Sequence, residues 1–543
     1  MRPNISLRTG GALLKITSLA FGLALALSLA PFAYADDPAP GPGDTTIALK
    51  YWIQYARDGN PAAQYGLGYR YANGQGVEHD DAKAVEWYQK AAAQGNAKAE
   101  YALAYMYSNG RGIDKDQQQA NAWYRKAAEQ GNADAQYAIG YSLANGRGLD
   151  VDNEQAAGWY QKSAALGQPQ AQYALGYMYA HGIGVHEDDT MALAWYRKSA
   201  DQGRSDAQYA LGYMFDNGLG TAADQSQAIE WYQKSADQGD AQGEYALGYA
   251  YANGHGVDQD DAQAYSWYKK SAEQGRADAQ YALGYSFANG LGVPQDYKQA
   301  LQWYRKSASQ GRADAQYAVG YFYANGQGVP VNDDVAVEWY RKAADQGDAQ
   351  GEYALAFMYA CGRGLAKDYG KALQWYRKSA DQGGADAQYA LGYMYDNGQG
   401  TAPDKSEAVA WYRKAADQGN ADGQYALAYL YYNGDGVPQD YSQAADLFRK
   451  AAEQGDARAQ YGLGHMYYNG YGVAKDMNQA SDWFHKAADQ GLPEAQHGLG
   501  DMAADGGGLI KDVGPEGGEL AKTNSRSEAP GWLVLRLLTT LLP

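Results

Sequence analysis

The side chains able to do chemistry in this 543-residue chain are few, and most of them recur. His465, His497 and Asp501 stand near its C-terminal end. His497 and Asp501 are four residues apart, a spacing that puts an imidazole and a carboxylate on one helix face and suits a metal ion. Drift of a terminal copy away from a repeated pattern accounts for them equally well, and no metal site is assigned. Cys361 is the single cysteine, so neither an intramolecular disulfide nor a cysteine metal centre is available. It occupies a turn where neighbouring copies carry Asn325 and Asn397, and reads as a harmless substitution. A lysine recurs twelve times, from Lys90 to Lys486, near the ends of predicted helices, where a cation is favourable with the helix dipole. No phosphate-binding glycine loop precedes Lys-Ser or Lys-Thr, and no Ser-His-Asp or Cys-His set stands apart from the background. A catalytic site is a singular constellation, whereas these residues repeat. The sequence points to no enzyme and no cofactor.

The remaining candidates are aromatic. Of 51 tyrosines, 41 fall at four positions of a recurring unit. Two of those positions lie four residues apart on one predicted helix and turn away from its apolar stripe. They give the pairs Tyr65 and Tyr69, Tyr101 and Tyr105, Tyr137 and Tyr141, Tyr173 and Tyr177, and Tyr209 and Tyr213. The series continues with Tyr245 and Tyr249, Tyr281 and Tyr285, Tyr317 and Tyr321, Tyr389 and Tyr393, and Tyr425 and Tyr429. Tyrosine offers rigid apolar area and a hydroxyl at low entropic cost, so stacked pairs would suit an extended peptide or a glycan chain. Alternatively the rings pack between neighbouring helices and show only their rims. Both can hold at once.

The elements that position these rings follow one period. Trp-Tyr begins at Trp87 and returns every 36 residues to Trp411, then continues in register as Leu447-Phe448 and Trp483-Phe484. Glycines recur without a gap from Gly74 to Gly506, from Gly76 to Gly508 and from Gly59 to Gly491. In the unit Ala279 to Asp314, Ala279, Leu283 and Phe287 mark the apolar stripe of a first helix, A. Asn289-Gly290-Leu291-Gly292 ends it, the glycines supplying positive φ. Asp296 caps a second helix, B, which carries Ala300, Leu301, Trp303, Tyr304 and Ala308 and stops at Gly311. The Phe287 and Tyr304 positions read as core. Gly284, Ala300 and Ala308 permit close approach, and Trp303 is the large partner expected to fill the space they leave. One such hairpin cannot bury both apolar faces, but stacking on a neighbour does so. The fold class is all-α: a solenoid of stacked helix-turn-helix units over residues 45–510, with Thr45 to Asp58 as a lone helix B capping its start.

These residues resemble the Sel-1-like repeat, a relative of the tetratricopeptide repeat. One copy reads Ala171, Leu175-Gly176, Tyr179, Gly182, Gly184-Val185, Asp188, Ala192, Trp195-Tyr196, Lys198, Ala200 and Gly203. The resemblance implies a right-handed superhelix that assembles complexes, with the tyrosine-bearing face of helix A lining its concave groove. Some exported members are disulfide-rich and linked to β-lactam binding; this chain lacks those cysteines, and that activity is not carried over.

The ends and the charge set context. Arg2, Arg8 and Lys15, the apolar run 16–30, Pro31 and Ala33-Tyr34-Ala35 have the layout of a signal peptide, residues 1–35, cleaved after Ala35. A Pro-rich linker, 36–44, follows. Residues 511–543 match no repeat, and their apolar stretch from Trp532 to Leu542 is too short to span a bilayer. The net charge of −18 becomes −21 without residues 1–35, which excludes nucleic acid and favours a cationic or neutral partner. The expectation is a periplasmic or secreted scaffold, without a membrane span in its mature chain, that binds a protein partner in its groove. A polysaccharide-binding or exopolysaccharide-assembly factor is the alternative, and a hydrolase a remote one.

Overall fold

The computed structural model describes residues 45–504. The expected signal peptide (1–35), linker (36–44) and tail (511–543) lie outside them. The described residues form 26 α-helices and no strand, and none of these helices is long and apolar enough to cross a membrane. The first helix, α1 (Thr45–Arg57), buries Ala56 against Ala63 and Leu67 of α2 (Pro61–Asn73). Helices A and B then alternate from α2 and α3 (Asp81–Ala93) to α24 (Ala457–Asn469), α25 (Met477–Asp489) and α26 (Pro493–Ala504). They group into two compact units, one ending at Gln274 and the other beginning at Gly275.

The boundaries follow from the capping chemistry. Asp224 Oδ1 accepts from the Gln227 amide at 3.0 Å, and Asp296 Oδ1 from the Lys298 and Gln299 amides at 2.9 and 3.0 Å. These bonds satisfy donors that the first turn of a helix leaves without partners. Each A helix from α2 to α24 ends on a glycine in the left-handed region; Gly218 has φ 67° and its amide donates to the Met214 carbonyl. The glycine two residues later has a second task. A Cβ on Gly220 would lie 2.3 Å from the Asp189 carbonyl oxygen, in helix B of the preceding hairpin. Successive hairpins therefore meet backbone to backbone at this point.

Inside each hairpin, Ala279, Leu283, Ala300 and Tyr304 of the second unit are buried, as are Ala207, Leu211, Ala228 and Tyr232 of the first. The small residue on helix A is filled differently from the expectation. A Cβ on Gly284 would meet the Tyr304 ring at 2.7 Å, and one on Gly212 the Tyr232 ring at 2.7 Å, so tyrosine rather than tryptophan occupies the space. The tryptophans among the described residues are half-buried, apart from buried Trp411. The Phe287 position is also half-buried in most hairpins, so of the two aromatic positions read as core only that of Tyr304 is consistently so.

Candidate functional site

The two tyrosine rows sit on the A helices, and the structure gives them different roles. The Tyr281 row lies against the Tyr304 row of the same hairpin. The Tyr281 and Tyr304 centroids are 5.4 Å apart, Tyr209 and Tyr232 5.7 Å, and Tyr317 and Tyr340 5.7 Å. Tyr65, Tyr101, Tyr137, Tyr173, Tyr245 and Tyr389 make the same contact with Tyr88, Tyr124, Tyr160, Tyr196, Tyr268 and Tyr412, and Tyr425 makes it with Phe448. This row is thus a second layer of the hairpin's own packing, a use its turn away from the apolar stripe does not suggest. Tyr353 and Tyr461, outside the ten predicted pairs, belong to it as well, against Tyr376 and Phe484. Burial pushes the phenol of Tyr137 up to about 12 and also raises those of Tyr101, Tyr173, Tyr281, Tyr317 and Tyr389.

Exposure divides the twenty rings evenly. Tyr69, Tyr137, Tyr141, Tyr177, Tyr245, Tyr249, Tyr285, Tyr317, Tyr321 and Tyr389 are buried. Tyr65, Tyr101, Tyr105, Tyr173, Tyr209, Tyr213, Tyr281, Tyr393, Tyr425 and Tyr429 keep part of their surface open. Charged residues at the start of the A helices border the rows. Arg312 bonds Asp314 at 2.6 and 2.8 Å, also pairs with Asp278, and holds its guanidinium carbon 4.9 Å from the centre of the Tyr281 ring. Arg204 pairs with Asp206 at 2.6 Å and lies 5.2 Å from the Tyr173 ring; Arg458 pairs with Asp422 at 2.6 Å and lies 4.5 Å from the Tyr425 ring. Burial raises the carboxyls of Asp206 and Asp348 above the ordinary range. The face therefore offers ring edges bordered by carboxylates and guanidinium groups.

The recurring lysine has a ring for a partner as well as the helix end. Lys306 Nζ sits 3.7 Å from the centre of the Trp303 ring one turn back, and Lys234 Nζ 3.6 Å from that of Trp231. The same pairing recurs from Lys90 over Trp87 to Lys486 over Trp483. Spacing of three residues in Trp-Tyr-x-Lys carried this signal. At Lys450 the ring position holds Leu447.

The singular residues do not assemble. His465 is buried, whereas His497 and Asp501 are exposed, and among the described residues no three His, Cys, Asp or Glu side chains form a group able to hold a metal. Cys361 is the last residue of its helix (Ala349–Cys361) rather than a turn residue. Burial pushes its thiol up to about 12, far from a reactive thiolate.

The sequence pattern of the Sel1 repeat matches thirteen consecutive segments, from 61–96 to 493–514. No curated protein matches the chain. Among solved structures, the chain is similar to c5321, a protective antigen present in uropathogenic Escherichia coli strains displaying an SLR fold. The two are 38% identical with a TM-score of 0.70 over 84% of this chain and 97% of that one. A Sel1 repeat protein from Oxalobacter formigenes is 35% identical, with a TM-score of 0.46 over 58% of this chain and 94% of that one.

Proposed function

Because the chain belongs to the Sel1 repeat family, a scaffold fold suited to protein–protein interaction, we propose that it is an exported scaffold binding an extended segment of a protein partner along the tyrosine-bearing face of its A helices. The carrying observation is the recurrence of partly open tyrosines along the A helices, bordered by Arg–Asp pairs at Tyr173, Tyr281 and Tyr425, which offers a weak contact many times over. Repeated weak contacts gain by multivalency, since each engaged hairpin raises the effective concentration at the next. Export is supported by the signal-peptide layout of residues 1–35 and by the similar E. coli protein being a protective antigen.

The test changes the partly open Tyr209, Tyr213, Tyr425 and Tyr429 together to Ser and follows crosslinking pull-down from intact cells beside circular dichroism melts. The binding reading requires affinity per folded molecule to fall. Since Tyr209 and Tyr425 pack on Tyr232 and Phe448, stability should fall too, by up to roughly 3–5 kcal/mol for each of these two rings. Lost stability with unchanged affinity per folded molecule ends the proposal for this face. A glycan array that captures the protein when no polypeptide does would favour the polysaccharide alternative. Sequencing of the mature protein should begin at Asp36; a retained Met1 would refute export by cleavage.

A further inference from the structure

Down each unit runs a row of buried side-chain amides. Gln208 donates from Nε2 to the carbonyl of Ala200, at the end of the preceding helix B, at 3.3 Å. Its Oε1 accepts from Nε2 of Gln238, at the end of its own hairpin's helix B, at 2.7 Å. Gln172, Gln316, Gln388 and Gln424 repeat both bonds, so one amide clamps two successive B helices to the A helix between them. Glu100, Glu244 and Glu352 occupy the same place in three hairpins and are just as buried, at 3%, 4% and 4% exposure. Each keeps one of the two bonds: Gln130, Gln274 and Gln382 donate to their Oε2 atoms at 2.6, 2.8 and 2.7 Å. For the other bond an ionised carboxylate has no hydrogen to give. Where glutamine has its donating Nε2 the glutamate has a second oxygen, and the carbonyl eight residues back, that of Ala92, Ala236 or Ala344, can accept from it only when it carries a proton. A protonated carboxyl, by contrast, donates there as glutamine does.

We propose that Glu100, Glu244 and Glu352 are proton-operated joints: protonated, they complete the amide row and tighten the stacking of their hairpins, and ionised, they loosen it. Burial is the largest influence on all three and raises each above the ordinary carboxyl range. The charges facing Glu100 are Lys126 and Glu129; those facing Glu244 are Lys270, Asp240 and Glu273; those facing Glu352 are Lys378 and Asp348. All three lysines lie over tryptophan rings, Lys126 on Trp123 at 3.8 Å and Lys270 and Lys378 on Trp267 and Trp375 at 3.7 Å, which directs them away from a close pair with the carboxyl. A carboxyl whose folded value is raised above its unfolded one contributes stability that is complete below the unfolded value and lost as pH rises through the folded value. The three joints should therefore tighten on acidification.

The experiment uses the full chain and compares E100Q/E244Q/E352Q with the parent from pH 8.5 down to pH 4.5, the ordinary value of a glutamate carboxyl, by thermal melts and by hydrogen exchange at the helix ends holding Ala92, Ala236 and Ala344. The variant should melt higher and exchange more slowly at pH 8.5, and the gain should shrink as pH falls through the raised carboxyl values toward the ordinary one. In the converse variant, Gln208→Glu, the melt should drop at pH 8.5 and recover on acidification. A gain in the triple variant that is absent, or equal at both ends of the range, overturns the proposal, as does a Gln208→Glu loss independent of pH. Failure of the triple variant to fold overturns it as well, since the nine other hairpins hold glutamine at this position.

Discussion

Two glycines of the first unit share a backbone conformation but not a neighbourhood, and alanine at each separates the two costs. Gly203 has φ 87° and open space around its missing Cβ; Gly220 has φ 67° and would place a Cβ 2.3 Å from the Asp189 carbonyl oxygen and 2.5 Å from its carbon. A residue with a Cβ in the left-handed region costs roughly 1–2 kcal/mol, and both variants incur that. Gly220→Ala alone must also push apart two backbones, which a rotamer change cannot relieve. Overpacking of this kind costs about 1–3 kcal/mol more. Long repeat arrays do not melt in one step, so the readout is local: hydrogen exchange in the helix holding Asp189 and in that ending at Gly218. An additional 1–3 kcal/mol predicts roughly 5- to 150-fold faster exchange there in Gly220→Ala than in Gly203→Ala, where exchange is limited by opening. Equal acceleration in the two variants would show that φ alone demands the second glycine and that the close approach carries no energy.

Two further outcomes test the packing. Lys234→Gln should lose about 0.5–1 kcal/mol through its contact with Trp231, whereas Lys450→Gln, beside Leu447, should lose only the helix-end contribution; equal denaturant-midpoint shifts at high salt would remove the ring from the account. Deleting residues 279–314 in register should leave a helical protein shorter by one hairpin, because each hairpin packs mainly on its neighbours; collapse seen by circular dichroism would contradict that.

The period, the two helices of each unit and the caps at Asp80 to Asp476 were legible because each rests on local chemistry that recurs every 36 residues. The contents of the hairpin were less so. Size made Trp303 the natural partner of Gly284, yet the ring that reaches the glycine belongs to the next residue, Tyr304, because a helix turns its neighbouring side chains about 100° apart. The Tyr281 row likewise points away from the Ala279–Leu283 stripe but meets helix B, and one-helix periodicity does not contain that second surface. Spacing on a single helix also cannot bring His465 to His497, whose separation in the fold depends on the stacking of different hairpins. The amide row was hidden for a different reason: its glutamines look like polar surface residues until the end of helix B folds over them.

Placing a cation over each repeated indole gives the array an optical character. Eleven of its thirteen tryptophans share nearly one environment, a ring beneath an ammonium group at 3.5 to 4.2 Å, half-buried in all of them but Trp411. Their emission is then close to a single reporter copied along the chain, and the opening of one hairpin changes only a small share of the light. A fluorescence melt would slope gently even if every hairpin let go abruptly, and its breadth would measure how far neighbouring hairpins differ in strength.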